Sequence, residues 1–132
     1  MPESLLPQIA AIAQALGDAA KHFDVDVLDS CASTNAALLT RAETGAASGT
    51  VVVALEQTAG RGRRNRRWIS AAEDSLTFSL LWRFAPGTSP AGLSLAAGVA
   101  VATALKKLGT SDTAIRTRQF VEVFSREILL VG

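Results

Sequence analysis

Val51-Val52-Val53-Ala54-Leu55-Glu56-Gln57-Thr58-Ala59-Gly60-Arg61-Gly62-Arg63-Arg64-Asn65-Arg66-Arg67-Trp68 runs from a continuous apolar segment into an arginine-rich turn. The apolar half reads as a fully buried strand from Thr50 to Leu55. In the second half, glycines permit positive φ and close approach of the backbone to a ligand. Successive N–H groups in such a turn form an anion-binding concavity, and arginine matches carboxylate and phosphate oxygens with its planar fork. The chain's formal net charge is only +1, and the turn's five arginines contribute +5, so the remainder carries about −4. A general nucleic-acid binder spreads its basic residues over a face. Charge concentrated in one turn favours a compact anion such as a phosphate-bearing small molecule.

Upstream, Phe23, Val25 and Val27 alternate with Asp24 and Asp26, the period of a half-buried strand. Ser30-Cys31-Ala32-Ser33-Thr34-Asn35 then opens a helix through Ala42 that Gly45 ends. The plain reading of its hydroxyl and amide side chains is an N-cap; the functional reading seats a small polar ligand at that helix start. Before the first strand, Leu5, Ile9, Ile12 and Leu16 make one stripe of a packing helix, stopped at Gly17.

Downstream, Leu76, Phe78, Leu80, Trp82 and Phe84 alternate with Thr77, Ser79, Leu81 and Arg83, a strand with one apolar face. Ser89 with Pro90 then offers a helix start. That helix carries Leu93, Ala97, Val101, Leu105 and Leu108, ends at Gly109, and is expected to be a core helix without chemistry.

The 132 residues fit a single domain with 48% apolar and 19% charged residues. One cysteine, Cys31, excludes an internal disulfide and fits a reducing compartment. It has no neighbouring histidine or lysine in the sequence to make it a nucleophile. With His22 the single histidine, no histidine- or cysteine-based metal site is expected. An apolar span of about 20 residues and a basic-then-apolar leader are both lacking. A cytoplasmic protein is therefore expected.

Ser33-Thr34-Asn35, then Gln57 with the Gly60-Arg61-Gly62-Arg63 turn, then Trp68, make an ordered set that resembles the biotin protein ligases over roughly residues 23–109. A lone Gly-x-Gly would mean little; the combined spacing is specific. The resemblance implies an α+β fold, a mixed β-sheet backed by helices, as a partial class II synthetase/biotin ligase-like catalytic domain. It implies an N-terminal helix over 1–22, the partial catalytic domain over 23–109 and a divergent tail over 110–132.

It further implies ATP-dependent formation of biotinyl-5′-adenylate and transfer of biotin to a lysine of a biotin carboxyl carrier domain. Biotin and ATP, the latter with Mg2+, would be the substrates. Ser33, Thr34, Asn35, Gln57, Gly60, Arg61, Gly62 and Arg63 would hold biotin, and Arg63, Arg64, Arg66 and Trp68 the adenylate. Arg61 and Arg63 would be catalytic, because a carboxylate attacking a phosphate brings two anions together and requires fixed positive charge. An arginine loop ordered over the adenylate would also shield the mixed anhydride from water. No membrane partner is implied, and a homodimer is left open.

Two departures from the family pattern stand out. Asn65 replaces a usual third glycine, and asparagine tolerates the left-handed region better than most residues. After Gly109 the family carries a Lys-Trp-Pro-Asn-Asp strand and then a lysine before paired glycines. Here Thr113-Ala114-Ile115-Arg116-Thr117-Arg118-Gln119-Phe120 follows, with no lysine after Lys107. The expectation is a ligase by descent, truncated or frameshifted after about residue 109, with impaired or lost activity.

Alternatives are a non-catalytic remnant with residual biotin binding, a lipoate ligase, and a basic-loop nucleic-acid binder. The last predicts salt-sensitive affinity independent of biotin, and no aromatic stacking platform accompanies the arginines. Only about twenty residues precede the first strand, so a winged DNA-binding domain and a transcriptional role are not expected.

Overall fold

The computed structural model describes residues 6–60, 66–67, 77–85, 87–89, 92–107, 121–124 and 128–131. In chain order the elements are α1 (Leu6–Leu16), a 3-10 helix (Gly17–His22), β1 (Asp24–Cys31), α2 (Thr34–Glu43), β2 (Thr50–Gln57), β3 (Thr77–Arg83), α3 (Leu93–Lys107), β4 (Val121–Phe124) and β5 (Ile128–Val131). The strands form one mixed sheet in the order β1-β2-β3-β5-β4. β1 and β2 are parallel, with Val27 opposite Val53 and Cys31 opposite Gln57. The other pairings are antiparallel. This is the expected α+β architecture, a mixed sheet with helices on it. β4 and β5, which pair with each other and join the sheet through β3, come from the stretch beyond Gly109.

A parallel pair needs a crossover, and α2 supplies it. Because strand side chains alternate between faces, β2 buries residues on both sides. Val52 is packed with Leu38, Ala42 and Leu81 beneath α2, while Val53 is packed with Val27, Ile9 and Ile12 beneath α1. The burial of Val52, Val53 and Ala54 in succession accounts for the continuous apolar run in the sequence. The α1 stripe at Ile9 and Ile12 packs as its helical spacing requires.

Three expectations need correction. Ser30 and Cys31 belong to β1, and α2 begins only at Thr34, after a cap at Ser33. On β3, the Ser79 and Leu81 face is the one fully buried, while Phe78 and Trp82 on the opposite face are 38% and 37% exposed. The reason is placement: α2 lies over the Ser79 and Leu81 face, whereas α1 packs near β1 and leaves the β3 aromatics half covered, with Trp82 against Phe23 at a ring separation of 6.2 Å.

The third correction concerns α3, which is no core helix: Leu95 and Val99 are 68% and 58% exposed, and none of its described side chains is buried. Leu93, Ala97 and Val101 do form its less exposed stripe. It starts at Leu93 instead of at Ser89–Pro90, with the Ala96 N–H donating its first helical bond to the Gly92 carbonyl. Pro90, Leu108 and Gly109 lie outside the described residues.

The far end of α2 is tied to β3 by Arg83. Its guanidinium donates to the Ala46 carbonyl from Nε at 3.0 Å and Nη2 at 2.8 Å, and from Nη2 to the Ala42 carbonyl at 3.1 Å. A cation at a helix C-terminus also opposes the macrodipole's negative end. Arg83→Met keeps most of the stem and removes these bonds. It is expected to cost about 1–3 kcal/mol, read as a lowered urea midpoint with unchanged m-value. The Arg41–Asp26 pair at 2.6 Å, between α2 and β1, is partly exposed and contributes less, at most about 1 kcal/mol.

Candidate functional site

The parallel β1–α2–β2 unit brings residues 33–35 and 57–60 to one end of the sheet. Ser33 leaves the strand with extended dihedrals, φ −158° and ψ 136°, and its Oγ accepts the Ala36 N–H at 3.4 Å. The plain N-cap reading therefore describes Ser33 in this structure. The Ala37 N–H bonds the Ser33 carbonyl at 3.0 Å, closing the first turn of α2.

Thr34 is placed differently. Its backbone N–H, one of the donors a helix start leaves free, donates to Gln57 Oε1 at 2.7 Å. Its hydroxyl lies 2.8 Å from Ser79 Oγ, and Ser79 Oγ donates in turn to Asn35 Oδ1. Thr34 is 3% exposed and Ser79 fully buried, while Asn35 and Gln57 are half-buried. Two backbone bonds clamp the same corner: Thr58 N–H to the Cys31 carbonyl at 2.9 Å and Ala59 N–H to the Ala32 carbonyl at 2.8 Å. They lead the chain to a buried Gly60.

Thr34, Asn35 and Gln57 thus converge, with Ser33 capping the same helix and Gly60 three residues beyond Gln57. Ser79 joins them, and the sequence reading did not select it. Its signal was Leu81 two residues on, an apolar side chain on what reads as the polar face of β3. Arg66 is described and exposed. Arg61, Gly62, Arg63, Arg64 and Trp68 lie outside the described residues.

The donors and acceptors that meet at this corner are neutral hydroxyls and amides. Burial pushes the Cys31 thiol up, and the Arg41 guanidinium pulls it down by a smaller amount. A raised thiol is a poor nucleophile at neutral pH. Among the described residues no three His, Cys, Asp or Glu side chains gather where they could hold a metal ion. None of the described helices is long and apolar enough to cross a membrane. A neutral, partly buried set of donors and acceptors, followed in the sequence by an arginine-rich stretch, suits a ligand with a polar uncharged head and an anionic tail.

Comparison with known proteins bears on that ligand. The model of the biotin/lipoate A/B protein ligase family matches residues 27–126. Among curated relatives, the bifunctional ligase/repressor BirA of Salmonella typhimurium is 38% identical over 106 residues, covering 80% of this chain and 33% of that protein. The biotin–[acetyl-CoA-carboxylase] ligase of Mycobacterium tuberculosis is 42% identical over 91 residues, covering 67% of this chain and 34% of its own length. The chain thus spans about a third of the length of these relatives.

Among solved structures, the Aquifex aeolicus biotin protein ligase in complex with biotin and ATP superposes with a TM-score of 0.60 at 27% identity, over 83% of this chain and 50% of that one. The Helicobacter pylori biotin acetyl coenzyme A carboxylase synthetase with bound biotinylated ATP gives a TM-score of 0.68 at 22% identity, over 83% and 59%. The latter likeness concerns the fold alone.

Proposed function

The chain belongs to the biotin/lipoate A/B protein ligase family, and on that premise we propose that it carries the biotin-recognising part of a biotin protein ligase. The supporting observation is the bond from Thr34 N–H to Gln57 Oε1, which joins two motifs 23 residues apart into one neutral polar site. Thr34, Asn35 and Gln57 hold the biotin head. Gly60, Arg61, Gly62 and Arg63 enclose its carboxylate and the α-phosphate of ATP, and Arg64, Arg66 and Trp68 hold the adenylate.

In the reaction, a biotin carboxylate oxygen attacks the α-phosphorus and pyrophosphate leaves. A lysine amine of a biotin carboxyl carrier domain then attacks the acyl carbon of biotinyl-5′-adenylate, and AMP leaves. The arginines neutralise the two anions as they approach. Mg2+ arrives on the nucleotide. We place the reaction in the cytoplasm, in keeping with one unpaired cysteine.

Residues 108–132 contain no lysine. The proposal therefore includes an adenylation step that is impaired in this chain. One missing cation at the reacting anions costs about 10²–10³ in rate, by analogy with a deleted oxyanion donor. The test is to incubate the 132-residue chain with biotin, ATP and Mg2+, measuring bound biotin by calorimetry and biotinyl-adenylate by mass spectrometry. Saturable biotin binding with little adenylate is expected. A stoichiometric yield of adenylate would contradict the impairment, and no biotin binding by the folded chain would contradict the biotin reading itself.

A further inference from the structure

Side chains two residues apart on a strand share a face, and on β3 the face toward α2 carries Ser79, Leu81 and Arg83. Each meets a different level of the helix. Ser79 bonds Thr34 and Asn35 at its start, and Leu81 packs with Leu38 and Ala42 further along. The Arg83 guanidinium donates to the Ala42 and Ala46 carbonyls at its end. The spacings agree: Ser79 to Arg83 covers about 14 Å at a strand's rise, and Thr34 to Ala42 about 12 Å at a helix's. The backbone of Arg83 is fastened as well, its N–H donating to Ser48 Oγ at 3.0 Å in the loop after α2.

A helix of 10 residues is marginal on its own, so these contacts set where it points. Leu38 is fully buried and lies midway in sequence between Thr34 and Ala42, the two levels that β3 holds by hydrogen bonds. Each arm is about 6 Å long. A helix pivoting there returns a displacement of its last turn as an equal and opposite one at Thr34. The Thr34 N–H bonds Gln57 Oε1 at 2.7 Å, and a shift of about 1 Å takes such a pair out of hydrogen-bond range. The other tie near the last turn is the Arg41–Asp26 pair, which is partly exposed and weaker.

We propose that Arg83 is a positioning residue for the site: by fixing the last turn of α2 it holds Thr34 and Asn35 in place against Gln57. It acts through the helix and not on the ligand. The inference rests on the biotin reading above for its ligand, and adds to it a residue that works from the far end of α2.

Two measurements test this, on Arg83→Met and on Ile12→Val of α1, which thins the packing on the opposite face of the sheet and lowers stability without reaching α2. In the ligand-free folded chain, nitrogen-15 NMR follows the Thr34 amide and the Gln57 side-chain amide. A loss of stability alone leaves folded-state shifts where they are. In Arg83→Met the Thr34 amide proton is expected to move upfield as its bond to Gln57 lengthens, and in Ile12→Val to stay in place. The second measurement is biotin Kd by calorimetry, at a temperature where every variant is folded. Arg83→Met should raise it about ten-fold, and Ile12→Val by less than about two-fold. If Arg83→Met does not fold, Arg83→Lys, which keeps the charge but loses the planar fork, is expected to move the same signals and to raise Kd about three-fold. Wild-type shifts at Thr34 and Gln57 in the folded Met or Lys variant, or an unchanged Kd where wild type binds biotin, would overturn the proposal. Should wild type bind no biotin, the biotin reading fails, and the shifts alone decide the role of Arg83.

Discussion

Replacing Gly49 with alanine is expected to destabilise the fold by about 3–5 kcal/mol, from a strained left-handed backbone and an overpacked contact together. Gly49 has φ +90°, and a Cβ there would stand 2.0 Å from the His22 carbonyl oxygen. Nothing flexible can give way, because that oxygen is backbone. The position is also where three strands meet: Gly49 N–H donates to the Leu81 carbonyl at 2.7 Å, and its own carbonyl accepts the Asp24 N–H at 3.0 Å. Relieving the clash would shift the start of β1 or β2 or the end of β3.

At this chain length the cost corresponds to a fall in Tm of roughly 10–20 °C, a large part of the typical 5–15 kcal/mol stability of a domain. Gly45→Ala is the control. Gly45 has φ +92° but nothing within 4 Å of a new Cβ, so only the backbone term of about 1–2 kcal/mol should remain. Equal losses at the two sites, read from thermal melts, would mean that the contact with His22 contributes nothing.

Arg63→Ala is expected to weaken binding of a non-hydrolysable biotinyl-adenylate analogue by about 10- to 100-fold, the range of one lost charge-assisted hydrogen bond. Biotin alone should lose less, because the substituted side chain then faces a single carboxylate instead of a carboxylate-derived group and a phosphate. Five arginines within residues 61–67 of a chain of net charge +1 concentrate positive charge where an anion would be held. Titration calorimetry with both ligands checks it. Equal losses for analogue and biotin would place Arg63 at the carboxylate only, and no loss for either would remove it from the site.

How far these features could be read in advance depended on what kind of signal each one leaves. Burial of β2 on both faces leaves an unbroken apolar run, and Val51 to Leu55 shows it. A helix start leaves a cap residue, and Ser33 was legible for that reason, although the strand before it extends to Cys31, beyond where the run Ser30-Cys31 suggested. Alternation in β3 identified two faces but not which one meets a helix. The Phe78 and Trp82 side carries larger apolar groups, yet α2 covers the Ser79 side, where a polar cluster with Thr34 and Asn35 satisfies the serine. A buried serine paired to residues 44 and 45 positions away has no local signature.

The α3 stripe is similar. Periodicity shows which side is less exposed, but not whether anything packs on it, and Leu95 and Val99 stay open. Gly49 was unreadable for a third reason, since the demand for a hydrogen in place of Cβ comes from His22, which the fold brings against it from the other side of α2. The arginine-rich stretch after Gly60 rests on charge density and glycine spacing, and residues 61–65 lie outside the described residues.

The most direct test of the account is a biotin titration of the nitrogen-15-labelled chain, followed at the backbone of Thr34 and Asn35 and at the Gln57 side-chain amide, with lipoic acid as the competing ligand. Saturable shifts at these three residues on adding biotin, and none on adding lipoic acid at the same concentration, are the predicted result. A folded chain whose Thr34, Asn35 and Gln57 signals stay fixed while biotin is raised to millimolar concentration would contradict the central claim that this corner of the sheet is a biotin site.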